Sequence, residues 1–137
     1  MVGLLIATQC AFAETTPLRL VIVTNVASDI DVLSQTQIRK IYLGAPGRVS
    51  DKAVQPLVNR SNRVLHEIFL QKVLFTSAKT YEHHIAHRKF AADAPSPLVY
   101  RSESKLIDYL TSHPNSIACL PEQEAAKLPS LRVIARL

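Results

Sequence analysis

The chain has 137 residues, of which 47% are apolar and 20% charged, and its formal net charge is +5. This length corresponds to one domain, and the apolar fraction is too high for a disordered protein. Two cysteines are too few for a disulfide-stabilised scaffold, and the sequence contains no internal repeat, so both of these architectures are excluded.

The first thirteen residues have the composition of a signal peptide. Residues 1–13 carry no charge, and Ala11, Phe12 and Ala13 have the small-x-small form of a cleavage site. We therefore expect cleavage before Glu14, export to the periplasm and a mature domain over 14–137. The usual basic start is missing, so the segment fits a signal peptide truncated at its N-terminus. The alternative interpretation is a buried first strand or helix, whereas a membrane span would need ~20 apolar residues.

After this cleavage the mature chain would keep a single cysteine, Cys119. One cysteine cannot form an internal disulfide. Cys119 lies in the apolar stretch 117–120, which predicts a buried and chemically inert thiol.

The first half of the mature chain alternates strand and helix patterns. Residues 18–24 are short, apolar and β-branched, which is typical of a buried parallel strand. A polar loop over 25–31 follows. Ser34 and Gln37 then form a capping box at the start of a helix, and Gly44 is placed to end it.

The second half continues the alternation. Residues 54–58 form a short strand, 59–63 a polar loop, and the apolar positions over 64–73 lie on one face of a helix. The remaining elements are predicted as a helix from Ser77 to about residue 90, a loop over 93–97, a helix capped by Ser102, a strand over 116–120, a helix beginning at Pro121 and a strand over 131–135.

The resulting order, β-α-β-α-α-α-β-α-β, predicts an α/β fold with a mostly parallel central sheet flanked by helices. Ligands in such sheets bind at loops beyond the carboxyl ends of the strands. The loops 25–31 and 59–63 are therefore the expected ligand-binding loops.

Several motifs, in this order, resemble the phosphate-type periplasmic substrate-binding proteins. They are LRLVIVTN over 18–25, LSQTQIRKIYLG over 33–44, VQPLVNRS over 54–61 and FLQKVL over 69–74. The family pattern is a strand ending in Asn, then LSxxQLxxIFxG, then VxPV, then a serine-bearing loop before a helix with FxxxVL. The similarity extends over most of the mature chain, and the order of the motifs is more specific than any one of them.

This resemblance implies a type 2 periplasmic-binding-protein fold, present as a short single-lobe variant. It implies a non-enzymatic protein similar to the substrate-binding components of phosphate ABC transporters, without a cofactor, binding a small oxyanion such as phosphate. Two segments depart from the family. The family's Ser-Gly-Thr anion loop corresponds here to Ser61, Asn62 and Arg63, and its glycine-rich GAIGY segment corresponds to 115–119, which lacks glycine.

The loop 59–63 is the best candidate for an anion site. Free N–H groups and a partial positive charge at a helix start suit anions, and arginine adds paired donors. The alternative is a helix cap with solvated arginines. The candidate ligand-binding residues are Arg60, Ser61, Asn62 and Arg63, with Asn25 and Ser28 completing the pocket across the sheet.

Histidines form a second pattern. His83 and His87 are four residues apart on one predicted helix and could supply two metal ligands. A metal site needs further ligands, which would have to come from His66 or His113. A solvated helix face is the simpler interpretation, so no metal is assigned. The P-loop, GxSxG and CxxC motifs are absent, which argues against an enzyme of those classes.

Three hypotheses follow for the mature protein. The first is capture of a small anion by helix starts and arginines. The second is an interaction module that keeps the fold, has lost the ligand site and binds a membrane transporter or sensor protein. The third is a periplasmic metal binder that uses the helix histidines. Lys and Arg are scattered rather than arranged in a stripe, so no nucleic-acid partner is predicted, although the excess positive charge would also suit a membrane surface.

Overall fold

One five-stranded sheet with helices on both faces organises the chain. The computed structural model describes residues 18–44, 53–88 and 95–137, and the predicted signal segment 1–13 lies outside them. The strands are β1 (Leu20–Asn25), β2 (Gln55–Asn59), β3 (Leu98–Tyr100), β4 (Ser116–Pro121) and β5 (Leu131–Arg136). The helices are α1 (Gln35–Leu43), α2 (Arg63–Phe69), which continues into a π-helical segment (Leu70–Leu74), α3 (Ala78–Arg88), α4 (Glu103–Ser112) and α5 (Glu122–Ala126).

The strands lie in the order β3-β2-β4-β1-β5. β2 pairs in parallel with both β3 and β4, whereas β1 pairs antiparallel with both β4 and β5. The predicted α/β class with a helix-flanked sheet is confirmed. The sheet is mostly parallel, as predicted, because β2, β3, β4 and β5 run in one direction and only β1 runs against them. The reversal of β1 matters for the site, since β1 ends at the opposite end of the sheet from β2.

Two apolar cores lie on the two faces of the sheet. One face packs against α1, α2, the π-helical segment and α3, and the other packs against α4 and α5. Neighbouring residues of β1 divide between the two cores, since Ile22 faces the first and Val23 the second. Cys119 belongs to the first core and is a free, buried thiol, as predicted.

Local signals in the sequence set the ends of α1. The Ser34 side chain accepts a hydrogen bond from the Gln37 backbone, and the Gln37 side chain accepts one from the Ser34 backbone, so the predicted capping box is confirmed. Gly44 ends the helix in the left-handed conformation, with φ +62°. A Cβ atom at Gly44 would also meet the end of the flexible Arg88 side chain, which would have to move.

The helix predicted over 64–73 forms as α2 and the π-helical segment, but Val64 does not lie on its buried face. Its apolar face is Leu65, Phe69 and Val73, all buried, whereas Val64 is 58% exposed. The continuation as a π-helical segment adds Leu70 and Leu74 to the buried set.

The sequence pattern missed β3, a strand of three residues at the border of the sheet. Leu98 and Val99 are partly exposed there, so the strand shows no alternation of buried and exposed positions. None of the helices in the described part of the chain is long and apolar enough to cross a membrane.

Candidate functional site

The loop predicted to bind an anion lies where three parallel strands end. β2, β3 and β4 all finish at the same end of the sheet, at Asn59, Tyr100 and Pro121. We call this the carboxyl end of the sheet. Each of these strands is followed by a helix, so α2, α4 and α5 all begin there. Helix starts present backbone N–H groups without partners inside the helix and a partial positive charge.

Asn59 anchors the loop to the sheet. Its side chain is buried, and Nδ2 donates to the Cys119 carbonyl oxygen on β4 at 2.9 Å. Its Oδ1 accepts from the Ser61 backbone N–H at 3.0 Å and from the Ser61 hydroxyl at 2.6 Å. The single hydroxyl proton of Ser61 is therefore used within the loop. The sequence pattern did not single out Asn59, although a polar residue directly after a buried strand is the signal that could have done so.

Asn62 is the N-cap of α2. Its Oδ1 accepts from the Leu65 backbone N–H at 3.2 Å. This is the helix-cap interpretation that the sequence left open for this residue. The Arg63 and Val64 N–H groups are the first in the helix, so neither has a partner within it.

Arg60 holds the loop against two other elements. Its Nη1 lies 2.9 Å from Glu82 Oε1 on α3, and its backbone N–H donates to the Tyr100 carbonyl oxygen on β3 at 2.8 Å. Arg63 is different: its side chain is 91% exposed and pairs with Glu67 one turn along α2. Exposed pairs of this kind contribute about 0.2–1 kcal/mol, so Arg60 is the arginine with a defined position.

Arg101 repeats the position of Arg60 on the neighbouring strand. Asn59 and Tyr100 are register partners, and each is followed by an Arg-Ser pair and then a helix start. Ser102 caps α4 by accepting from the Lys105 backbone N–H at 3.5 Å. Arg101 is exposed, and within the described part of the chain no hydrogen bond or ion pair engages its guanidinium. The repeated Arg-Ser pair is the signal in the sequence that could have identified Arg101 as a candidate residue.

Asn25 and Ser28 lie at the opposite end of the sheet from the loop 59–63. Because β1 runs antiparallel to β4, Asn25 and Asn59 are separated by about four residues along β4, or ~13 Å at ~3.3 Å per residue. The structure therefore does not bring Asn25 and Ser28 together with Ser61, and the pocket expected from them is not supported.

Both of these residues have local partners instead. Asn25 Nδ2 donates to the Leu110 and Thr111 carbonyl oxygens, each at 3.0 Å, which satisfies the end of α4. Ser28 Oγ accepts from the Ile30 backbone N–H at 3.0 Å. Their contacts stabilise the loop after β1.

The histidines of the sequence do not converge. His83 and His87 are exposed on α3, while His113 lies beyond α4 on the other face of the sheet, stacked on Tyr109. His84 Nε2 donates to the Leu43 carbonyl oxygen at 2.6 Å, which joins α3 to α1. Across residues 18–44, 53–88 and 95–137, no three His, Cys, Asp or Glu side chains are grouped so that they could hold a metal ion.

His66 is a buried imidazole in α2, close to the Arg60–Glu82 ion pair. Only 7% of the residue is exposed, and its Nδ1 has no hydrogen-bond partner among the described residues. Burial lowers the pKa of His66, and the positive charge of Arg60 lowers it further, against a smaller opposite effect of Glu82 and Glu67. The folded protein therefore favours neutral His66.

Acidification from pH 7 to pH 5 is expected to destabilise the protein through His66. The unfolded chain binds this proton near pH 6.5, whereas the folded protein binds it only at lower pH. The free energy of unfolding therefore falls as the pH drops below about 6.5, until folded His66 is itself protonated. Urea unfolding between pH 5 and pH 7.5 measures this, and His66→Gln should reduce the loss. An equal loss in both proteins would contradict the assignment.

Comparison with known proteins bears on the fold. The structure is similar to that of an ABC-type phosphate transport receptor from Vibrio cholerae, with a TM-score of 0.62 and 19% sequence identity. The match covers 85% of this chain and 45% of the receptor, so the chain spans about half the receptor's length. No family model and no curated protein matches the sequence significantly. The likeness confirms an α/β fold like part of a phosphate-receptor structure.

Proposed function

We propose that this protein is an exported, non-enzymatic binding lobe that captures a small oxyanion such as phosphate at the carboxyl end of the sheet. The observation that supports it most is the placement of Arg60 and Arg101 directly after two adjacent parallel strands, each in the short loop that leads to a helix start. The likeness to a phosphate transport receptor supports the same ligand class.

In this proposal the donors are guanidinium and backbone N–H groups. An oxyanion between Arg60 and Arg101 would accept charge-assisted hydrogen bonds from both side chains. The first N–H groups of α2, at Arg63 and Val64, would add to them. Ser61 is not among these donors, because its hydroxyl and its backbone N–H both donate to Asn59.

Arg60 would change partner when the anion binds. In the free protein it pairs with Glu82, which is 55% exposed in its side chain and so can turn into solvent at small cost. Arg101 is exposed and engages no other described residue, so it would make the first contact. The exchange keeps a negative partner on Arg60 in both states.

A second candidate function is that of an interaction module for a transporter or sensor protein. The observation that favours it is that Arg60, Ser61 and Arg63 are already engaged, with Glu82, Asn59 and Glu67 respectively. A loop whose polar side chains are satisfied internally is stable without a ligand. The two candidates differ in whether a free anion stabilises the protein.

Phosphate is expected to raise the thermal unfolding temperature of anion-free protein lacking residues 1–13. A ligand that binds only the folded state stabilises it by RT ln(1 + [L]/Kd). Arg101→Gln and Arg60→Gln should each weaken phosphate binding about tenfold, because a hydrogen bond to a charged group contributes about 1.5–3 kcal/mol. Differential scanning fluorimetry against phosphate, sulfate and acetate measures the effect.

The matched control for this titration is Lys40→Gln. Lys40 is an exposed cation of α1 whose side chain makes no hydrogen bond or ion pair in the described part of the chain, and its loss changes the net charge equally. It should leave the phosphate response unchanged. A protein that shows no shift at millimolar anion refutes the anion proposal and leaves the interaction module as the better account. Equal weakening by all three variants would show a general charge effect instead of a site.

A further inference from the structure

Phe75 is an aromatic side chain held in solvent by a costly backbone conformation. It directly follows the π-helical segment, is 69% exposed, and has φ +53°. It is the one non-glycine residue with positive φ among those the structure describes. Bulky side chains are disfavoured in this left-handed region, and glycine or asparagine usually ends a helix there. The backbone conformation therefore does not account for a phenylalanine at this position.

One cation contacts this ring, and two more lie within four residues of it in the sequence. Arg39 Cζ on α1 lies 5.4 Å from the ring centroid, within the range of a cation–π contact. Lys72 is one turn before Phe75, and the Gln35 side chain donates to its carbonyl oxygen, which fixes the π-helical segment against the start of α1. Lys79 follows on the first turn of α3, and both lysines are exposed. Arg39, Lys72, Phe75 and Lys79 together form what we call the aromatic-cation patch.

Negative charge is scarce around the patch. α1, the π-helical segment and the link 75–77 contain no Asp or Glu. The carboxylates on the adjoining helices, Glu67 of α2 and Glu82 of α3, pair with Arg63 and Arg60. The patch therefore presents positive charge that no described carboxylate on these elements neutralises.

We propose that the aromatic-cation patch docks the protein on an anionic phospholipid surface. Phe75 would enter the interfacial region, while Arg39, Lys72 and Lys79 would contact lipid phosphates. Charge complementarity favours an anionic phospholipid surface as the partner of this patch. The lysines are flexible point charges, which suit many mobile phosphates better than a fixed pattern of carboxylates. This docking does not depend on the anion site at the carboxyl end of the sheet.

Sedimentation with vesicles tests the proposal. Protein lacking residues 1–13 should sediment with vesicles of equal parts phosphatidylglycerol and phosphatidylcholine at low salt, and not with phosphatidylcholine alone. High salt should release it, because salt screens exposed charges. Lys72→Gln should weaken the partitioning about fivefold and Phe75→Gly about tenfold. Lys127→Gln, which removes an exposed cation next to α5 on the other face of the sheet, should change nothing.

Phe75→Gly separates binding from folding. Glycine relieves the left-handed conformation, so this variant should be at least as stable to heat as the natural chain while partitioning less. Absence of binding to anionic vesicles at low salt overturns the proposal, as does binding that Phe75→Gly and Lys72→Gln leave unchanged. Release by millimolar phosphate together with loss in Arg101→Gln would assign the binding to the carboxyl end, and binding to polyglutamate but not to vesicles would assign it to an acidic protein. Both results would overturn it too.

Discussion

Raising the pH above 10 is expected to unfold the protein steeply. The free energy of unfolding falls by about 4 kcal/mol per pH unit once the phenols of the unfolded chain are ionised. Tyr42, Tyr81 and Cys119 are each no more than 2% exposed, and burial raises the pKa of each well above its ordinary value. In the unfolded chain the thiol ionises near pH ~8.5 and the phenols near pH ~10. Above these values the unfolded state has released three protons that the folded state keeps, and each contributes about 1.4 kcal/mol per pH unit.

The two tyrosines are held by hydrogen bonds as well as by burial. The Tyr42 hydroxyl donates to the Leu57 carbonyl oxygen at 2.8 Å, and the Tyr81 hydroxyl donates to the Tyr42 carbonyl oxygen at 3.0 Å. An ionised phenolate could not donate in either place. The folded state therefore keeps these hydroxyl groups protonated, and they ionise only when the protein unfolds.

Urea unfolding between pH 8 and pH 11.5 measures this dependence, and Tyr81→Phe isolates one of the three protons. That variant should lose about 1 kcal/mol at pH 7 with its hydrogen bond and about 1.4 kcal/mol per pH unit of the alkaline slope. Ser61→Ala also loses one hydrogen bond but no titratable group, so it should lower the whole curve without changing its slope. Identical alkaline slopes in the natural chain and Tyr81→Phe would refute the explanation.

The parts of this fold that sequence reasoning predicted are set by neighbouring residues. The capping box of Ser34 and Gln37, the left-handed Gly44 and the caps at Asn62 and Ser102 all act within one or two helical turns. The order of these signals placed the helices and four of the five strands. Because the interacting groups lie within a few residues of one another, these features can be predicted from the linear sequence.

The strand directions depend on contacts that the linear sequence does not reveal. β1 pairs with β4 and β5, which lie more than 90 residues later in the chain. A short apolar run is typical of a buried parallel strand, but β1 is a central antiparallel strand that is buried on both faces and has the same pattern. The direction of β1 also explains why Asn25 does not join the candidate site, because it places this residue at the other end of the sheet. β3 was missed for a different reason, since three partly exposed residues give no periodic signal.

The candidate site was predictable in its position but not in its electrostatics. The loop 59–63 follows a strand and precedes a helix, as expected, but the pairing of Arg60 with Glu82 joins residues 22 apart. Arg101 becomes a candidate only because β2 pairs with β3, which gives it the position after β3 that Arg60 has after β2. A repeated Arg-Ser pair before each helix start was visible in the sequence, yet without the register it was one polar dipeptide among many.

Replacing Asn59 by Ala is expected to destabilise the protein by about 3 kcal/mol. The substitution removes the donor to the buried Cys119 carbonyl oxygen and the acceptor for both Ser61 groups. A buried polar group left without a partner costs about 1–3 kcal/mol, and each lost hydrogen bond contributes about 0.5–1.5 kcal/mol. Chemical denaturation at pH 7 measures the loss.

Two further substitutions divide the role of Asn59 between its atoms. Ser61→Ala removes one of the three hydrogen bonds and should cost about 1 kcal/mol. Asn59→Asp keeps the acceptor for Ser61 but replaces the donor to Cys119 with an oxygen, so it should cost more than Ser61→Ala at pH 7, where the carboxylate is charged. Protonation of that carboxyl restores a donor, so the penalty of Asn59→Asp should shrink as the pH falls, while that of Asn59→Ala should not. If Asn59→Ala costs no more than Ser61→Ala, the loop is held by its backbone, and the anchoring of the loop 59–63 to β4 through Asn59 is refuted.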